Sequence, residues 1–212
     1  MVQAKPVTPP SFASIPVFRA TAMAPARGGG SWRFENLVGV LAEISEEIPC
    51  GAVSFAAEII AEAQDANEPV AWVSAPGSVF FPPDLARRGV DLAAIAVVRA
   101  GGETGALTAA EWLAGSGAMG LVVVDLEDTV TTSDASLGRL QKLAERNQCA
   151  VVSLTRKRRH EVSLGSRISV HGFVTRSEYR GRLIIDICTL KDKRSKPGSR
   201  LRRTYNGPPG LY

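Results

Sequence analysis

Five short apolar runs constrain this chain more than any other feature. They are Leu37–Ile44, Val70–Ser74, Ile95–Arg99, Gly120–Asp125 and Ala150–Leu154, and stretches with helical spacing separate them. A strand that is apolar on both sides needs cover on both faces, and parallel strands joined by crossover helices provide it. Between the runs, Val53–Gln64 places Phe55, Ile59 and Ile60 on one face of a helix. Pro82-Pro83-Asp84 opens a short helix ending near Gly89, and further helices are expected over about Ala106–Ala114 and over Leu137–Asn147. After the fifth run the period changes to two. Ile168–Thr175 and Arg182–Leu190 alternate apolar and polar residues on either side of "RSEYRG", the pattern of an antiparallel hairpin. The expected fold is α/β, a mostly parallel central sheet flanked by helices and ending in an antiparallel hairpin.

The ends read differently. Residues 1–31 contain Pro6, Pro9, Pro10, Pro16 and Pro25 and close on Gly28-Gly29-Gly30, a composition that builds no core. This is the expected flexible arm, with Ile15-Pro16-Val17-Phe18 as a docking segment. Residues 32–205 form the expected domain. Residues 206–212, "NGPPGLY", form the expected tail, unable to continue a helix or strand. No apolar run reaches the ~18 residues a membrane span needs, and the N-terminus lacks a signal-peptide pattern, so the expected compartment is the cytoplasm. Cys50, Cys149 and Cys188 are odd in number and lack CxxC spacing, which reads as buried thiols. With His160 and His171 the only histidines, metal or triad chemistry based on His has little to draw on.

Charge is divided along the chain. Residues 1–150 carry 10 Lys and Arg against 17 Asp and Glu, a balance of −7. Residues 151–212 carry 15 against 4, a balance of +11, and together they give the net +4. A block of one sign speaks about partners rather than fold, and phosphate backbones are the first candidate.

"GVLAEISEEIPCGAVSFAAEIIAEAQ" has the rhythm of a phosphate-binding unit: strand, tight loop, apolar helix. "PVAWVSAPGSVFFPPDLARRGVDLAAIAVVRAGGETGALTAAEWLAGSGAMGLVVVD", "CAVVSLTRKR" and "GRLIIDICTLKDKRSKPG" follow it in order. Together these motifs, over roughly residues 33–205, resemble the core of the RecA recombinase family. Within it, the short chain, degenerate loop and basic "LKDKRSKPG…NGPPGLY" end look most like the ImuA group. Those are RecA-like accessory proteins of DNA-damage-induced (SOS) mutagenesis and translesion synthesis. The resemblance implies as partners an inactive Y-family polymerase homologue, an error-prone replicative-type polymerase and, in one variant, RecA itself.

The same resemblance tests the nucleotide site. A phosphate-binding loop needs glycine amides for phosphate oxygens, a Lys for the β/γ charge and a Ser/Thr hydroxyl for Mg2+. Here the first glycine falls on Glu46, the second on Gly51, the lysine on Ala52 and the magnesium hydroxyl on Val53. Glu46 and Glu47 put two carboxylates where a polyphosphate would lie. The family's water-activating carboxylate falls on Pro76, and Thr155-Arg156 stands where a phosphate-sensing Gln would be. Any ATP contact falls to Gly51, Ser54, Asp125, Lys191 and Lys193. Asp125 is the candidate for Mg2+, and the Lys191/Lys193 pair matches lysines that reach a neighbouring subunit's nucleotide. No catalytic residue is assigned.

"TRKRRHEVSLGSR" places Arg156, Lys157, Arg158 and Arg159 directly after a strand, where the resemblance implies a second DNA-binding loop. The first such loop would lie in "DLEDTVTTSDAS", which is acidic. DNA contact is therefore expected from Arg156–Arg159 with Lys191, Lys193, Arg194 and Lys196, joined by "RLRR" at Arg200–Arg203. Such contact is phosphate-directed, independent of base sequence and steep in salt. Phe173, Tyr179 and Tyr205 are the nearby aromatics for base stacking. Three functions compete: a non-catalytic adaptor on DNA and polymerases, a DNA-stimulated ATPase using lysines in trans, and a cap of RecA filaments. A bland reading also stands, in which the basic runs are a solvated face. The adaptor accounts for most of the features.

Overall fold

The computed structural model describes residues 30–48, 51–78, 80, 82–126, 133–179, 182–195 and 197–206. The arm up to Gly29 with Ile15–Phe18, Cys50, the middle of the acidic loop at 127–132, Lys196 and the tail beyond Asn206 lie outside the described residues.

Eight strands form one sheet: β1 Leu41–Glu46, β2 Val70–Ser74, β3 Ile95–Arg99, β4 Leu121–Asp125, β5 Ala150–Arg156, β6 Val170–Tyr179, β7 Arg182–Asp192 and β8 Arg200–Asn206. Their order across the sheet is β3-β2-β4-β5-β1-β6-β7-β8. Every pair from β3 to β6 is parallel, and β6–β7 and β7–β8 are antiparallel. The protein is a mixed α/β fold with a mostly parallel sheet and an antiparallel end.

The helices divide between the two faces. Helix α2, Ala52–Asp65, buries Phe55, Ile59 and Ile60 against Ile44, Trp72, Val123 and Val152. Helices α4, Glu103–Ser116, and α5, Asp134–Asn147, cover the opposite face through Leu107, Ala110 and Leu140 on Leu41, Val73, Val122 and Val151. Alternate residues of each central strand thus meet different helices, which is why these strands read as unbroken apolar runs. A short helix α3, Pro82–Ala86, buries Leu85 beside α2, and a 3-10 turn at Leu92–Ala94 leads into β3.

Val70–Ser74 and Ile95–Arg99 match the sequence reading, and the other elements shift. The first strand starts at Leu41, because Phe34–Leu37 form one helical turn, α1. Glu62 of α2 holds that turn, accepting from Phe34 N at 2.8 Å and pairing with Arg33 at 2.9 Å. Helix α5 begins at Asp134 because the Ser133 hydroxyl caps it, accepting from Ser136 N. Strands β6 and β7 run through "RSEYRG", leaving only residues 180–181 between them. The loop after β5 spans 157–169. β8 was read only as a basic run, and it carries the chain in strand form to Asn206, into the expected tail. Its Leu201, Arg203 and Tyr205 alternate with Arg200, Arg202 and Thr204, a period-two signal hidden by the arginines. Cys149 is buried, as expected of a core thiol, but Cys188 is only half-buried.

Among the described residues no helix is long and apolar enough to cross a membrane, and no group of three or more His, Cys, Asp or Glu is arranged to hold a metal ion.

Candidate functional site

The carboxyl ends of β2, β4, β5 and β1 share one edge of the sheet, where open parallel sheets bind ligands. Helix α2 begins there, and its first amides are the ones a phosphate would use. They are taken. Glu46 Oε2 accepts from Gly51 N and from Ala52 N, each at 2.9 Å, and Glu46 is 7% exposed. The two carboxylates therefore act differently from the sequence reading. Glu46 does not line the loop to repel a ligand; it occupies the anion position itself. Gly51 is needed for packing as well, since a Cβ there would lie 2.6 Å from Ile185 Cγ2 and 3.1 Å from Val174 Cγ1.

Three of the remaining nucleotide candidates, Ser54, Asp125 and Lys191, are engaged with the protein itself. The Ser54 hydroxyl accepts from Arg88 Nη2 at 3.2 Å, and Arg88 lies over the Tyr205 ring at 3.4 Å. The Tyr205 hydroxyl donates to Glu58, which also pairs with Arg203 at 2.8 Å. Burial, then that bond, raise the Tyr205 phenol above its ordinary range. Asp125 ends β4 and accepts the Ser78 hydroxyl. By the resemblance Val53 stands where the metal hydroxyl would be, so Asp125 lacks the hydroxyl ligand that usually accompanies it on Mg2+. Lys191 Nζ donates to Gly165 O at 3.3 Å and Ser166 O at 3.4 Å, while Lys193 is exposed. A cleft of about 490 Å3 beside this edge is lined by Glu47, Glu178 and Arg176 with Ile48 and Val174. Two carboxylates against one guanidinium suit a polyphosphate poorly.

Part of the basic set lies on the face of the antiparallel end away from α2, while Arg203 pairs with Glu58 of α2 and Arg156 stands opposite Glu46. Arg156 closes β5, and residues 158–162 form an exposed arch carrying Arg158, Arg159 and His160. Arg159 Nη2 lies 3.5 Å from Cys188 Sγ on β7. Cys188 stands opposite Arg200, Asp186 opposite Arg202, and Arg182 belongs to the same alternating set, so these side chains share the arch's face. Arg202 is bound by both Asp186 oxygens, at 2.8 and 2.9 Å, and this holds the Asp186 carboxyl below its usual range. Arg194 donates to Asn36 O and so ties β7 to α1. Of the three aromatics named from sequence, Phe173 is buried and Tyr205 lies under Arg88, leaving Tyr179 at 60% exposure.

Lys157 stands apart from this face. It pairs at 2.5 Å with Glu43, which is fully buried in β1, and its own side chain is 11% exposed. Thr155, Ser45 and His171 complete a buried polar group there. The sequence reading passed over it, although "LAEIS" carries one acid in an apolar strand and "SVHGFV" one histidine. Burial holds the His171 ring below its ordinary pKa; the Glu43 charge opposes this, and those of Lys157 and Lys191 reinforce it.

Compared with models of known protein families and with curated proteins, the chain matches none.

Proposed function

We propose that this chain is a RecA-like accessory protein that binds DNA through sequence-independent phosphate contacts and serves as an adaptor in mutagenic translesion synthesis. By the resemblance stated above, its partners are an inactive Y-family polymerase homologue and an error-prone replicative-type polymerase. The observation that carries the non-catalytic part is the Glu46 carboxylate on the Gly51 and Ala52 amides. An internal anion held by two charge-assisted bonds, with no lysine or metal hydroxyl beside it, leaves no seat for the β/γ-phosphates. The DNA part is supported by the exposed arch with Arg158 and Arg159, and by the β7–β8 face, where Arg159 reaches Cys188 opposite Arg200 and Arg182 stands farther along the same face.

The ATPase alternative draws on Asp125 with Lys191 and Lys193 in trans; the Lys191 ammonium is spent on the carbonyls of 165 and 166, while Lys193 is exposed. The third reading, a cap on RecA filaments, has one observation in its favour. β3 is an apolar edge strand with Val97 43% exposed, and bare apolar edges invite another strand.

A paired titration tests the proposal: oligonucleotide binding at two salt concentrations beside ATP turnover with Mg2+ over a range of protein concentrations. Binding that weakens steeply with salt, without turnover, is the expected result. DNA-stimulated turnover rising with protein concentration would overturn it. An effect on RecA filaments at near-stoichiometric ratio without DNA affinity would move the cap reading to first place.

A further inference from the structure

Residues 158–162 stand fully in solvent, yet the segment around them is tied down from beneath. One row of side chains runs under it across four strands: Ser153 of β5, Glu43 of β1, His171 of β6 and Lys191 of β7. Glu43 is the hub. Its Oε1 accepts from the Thr155 hydroxyl at 2.8 Å and from Lys157 Nζ at 2.5 Å, and its Oε2 accepts from Leu164 N at 2.7 Å. Both feet of the arch therefore end on one carboxylate. Lys157 Nζ also donates to Val162 O at 3.1 Å, closing the base of the arch on itself. Lys191 pins the descending side through Ser163 Oγ, Gly165 O and Ser166 O. The His171 ring fills the row beside Ser45 Oγ, 2.8 Å away.

A buried ion pair is weak evidence for stability, but a buried carboxylate that accepts from three donors, as Glu43 does, restrains the segments that supply them. Loops that must present charges in a set arrangement lose less on binding if they are already ordered. We infer that Glu43 is a latch: through Lys157 and Leu164 it holds the basic arch in the shape that presents Arg158 and Arg159. Glu43 and Lys157 are positioning residues for phosphate contact, and this role rests on the DNA-binding reading above.

The latch and simple electrostatics predict opposite signs. Removing a carboxylate below a cationic arch raises affinity for a polyanion by charge alone, whereas a released latch lowers it. Glu43→Gln alone strands the Lys157 ammonium, so the deciding variant is Glu43→Gln with Lys157→Met, which removes one charge of each sign. The latch predicts that trypsin cuts after Arg158 and Arg159 about tenfold faster while cleavage elsewhere is unchanged. It also predicts that affinity for a fluorescent single-stranded oligonucleotide at low salt falls about fivefold. Unchanged affinity overturns the positioning role, whether or not the arch is cut faster.

Should the double variant not fold, amide exchange over 157–166 in the unaltered chain decides instead. Protection at Leu164, whose amide Glu43 accepts, is expected before any DNA is added; solvent-like exchange there overturns the latch. Failure of the unaltered chain to bind the oligonucleotide overturns the DNA reading and the positioning role with it, while the cleavage rates still report on the latch alone.

Discussion

Single residues decide the chemistry at the carboxyl edge. Glu46→Ala uncovers the amides of Gly51 and Ala52, and leaving buried donors unpaired costs about 1–3 kcal/mol. The expected result is a lower thermal midpoint that inorganic phosphate at millimolar levels partly restores, with no such effect on the unaltered chain. Phosphate-insensitive unfolding of the variant would show that the helix end is not an anion seat. His171 carries the second prediction at this scale. Its pKa is lowered in the fold, so between the ordinary value of 6.5 and the lowered one the unfolded chain holds more protons. This contribution is intact above pH 6.5, is lost progressively as pH falls below it, and levels off once the lowered pKa is passed. The slope approaches about 1.4 kcal/mol per pH unit. Urea midpoints at about pH 7.5 and about pH 5.5, roughly one unit either side of the ordinary value, should separate more for the unaltered chain than for His171→Gln. Equal separation would mean that His171 titrates normally in the fold.

At the scale of elements, the antiparallel end is held to α2 by a small polar set rather than by apolar area alone. Glu58 receives both Arg203 and the Tyr205 hydroxyl, and Arg88 bridges Ser54 to the Tyr205 ring. Glu58→Ala should destabilise by about 1–2 kcal/mol and speed amide exchange in β8 more than in β1 or β5. Uniform exchange across the sheet would show that β8 does not depend on this contact. The close approach of α2 to β6 and β7 makes Gly51→Ala costly, about 1–3 kcal/mol from overpacking against Ile185 and Val174, readable as a shifted denaturation midpoint.

For the whole molecule, the charge division along the chain becomes a division in space. The basic C-terminal part supplies β6, β7, β8 and the arch, and the acidic part supplies most of the parallel sheet and its helices. Arg156→Ala with Arg158→Ala should weaken DNA binding and reduce the slope of log affinity against log salt by about two units on duplex DNA. An unchanged slope would leave the arch as a solvated face.

Periodicity made the α/β class legible, because a strand buried on both sides must be apolar on both and a hairpin must alternate. The missing lysine and metal hydroxyl at Ala52 and Val53 were legible as well, since position along a motif is a property of the chain itself. Partnership was not. Whether Glu46 faces a ligand or turns back onto its own helix depends on the angle between β1 and α2. Whether Lys157 meets solvent or Glu43 depends on a loop folding over a sheet face more than a hundred residues away in sequence. A charged residue carries the same free energy of hydration wherever it stands in a sequence; what offsets its loss on burial is a neighbour that only the tertiary fold brings within reach.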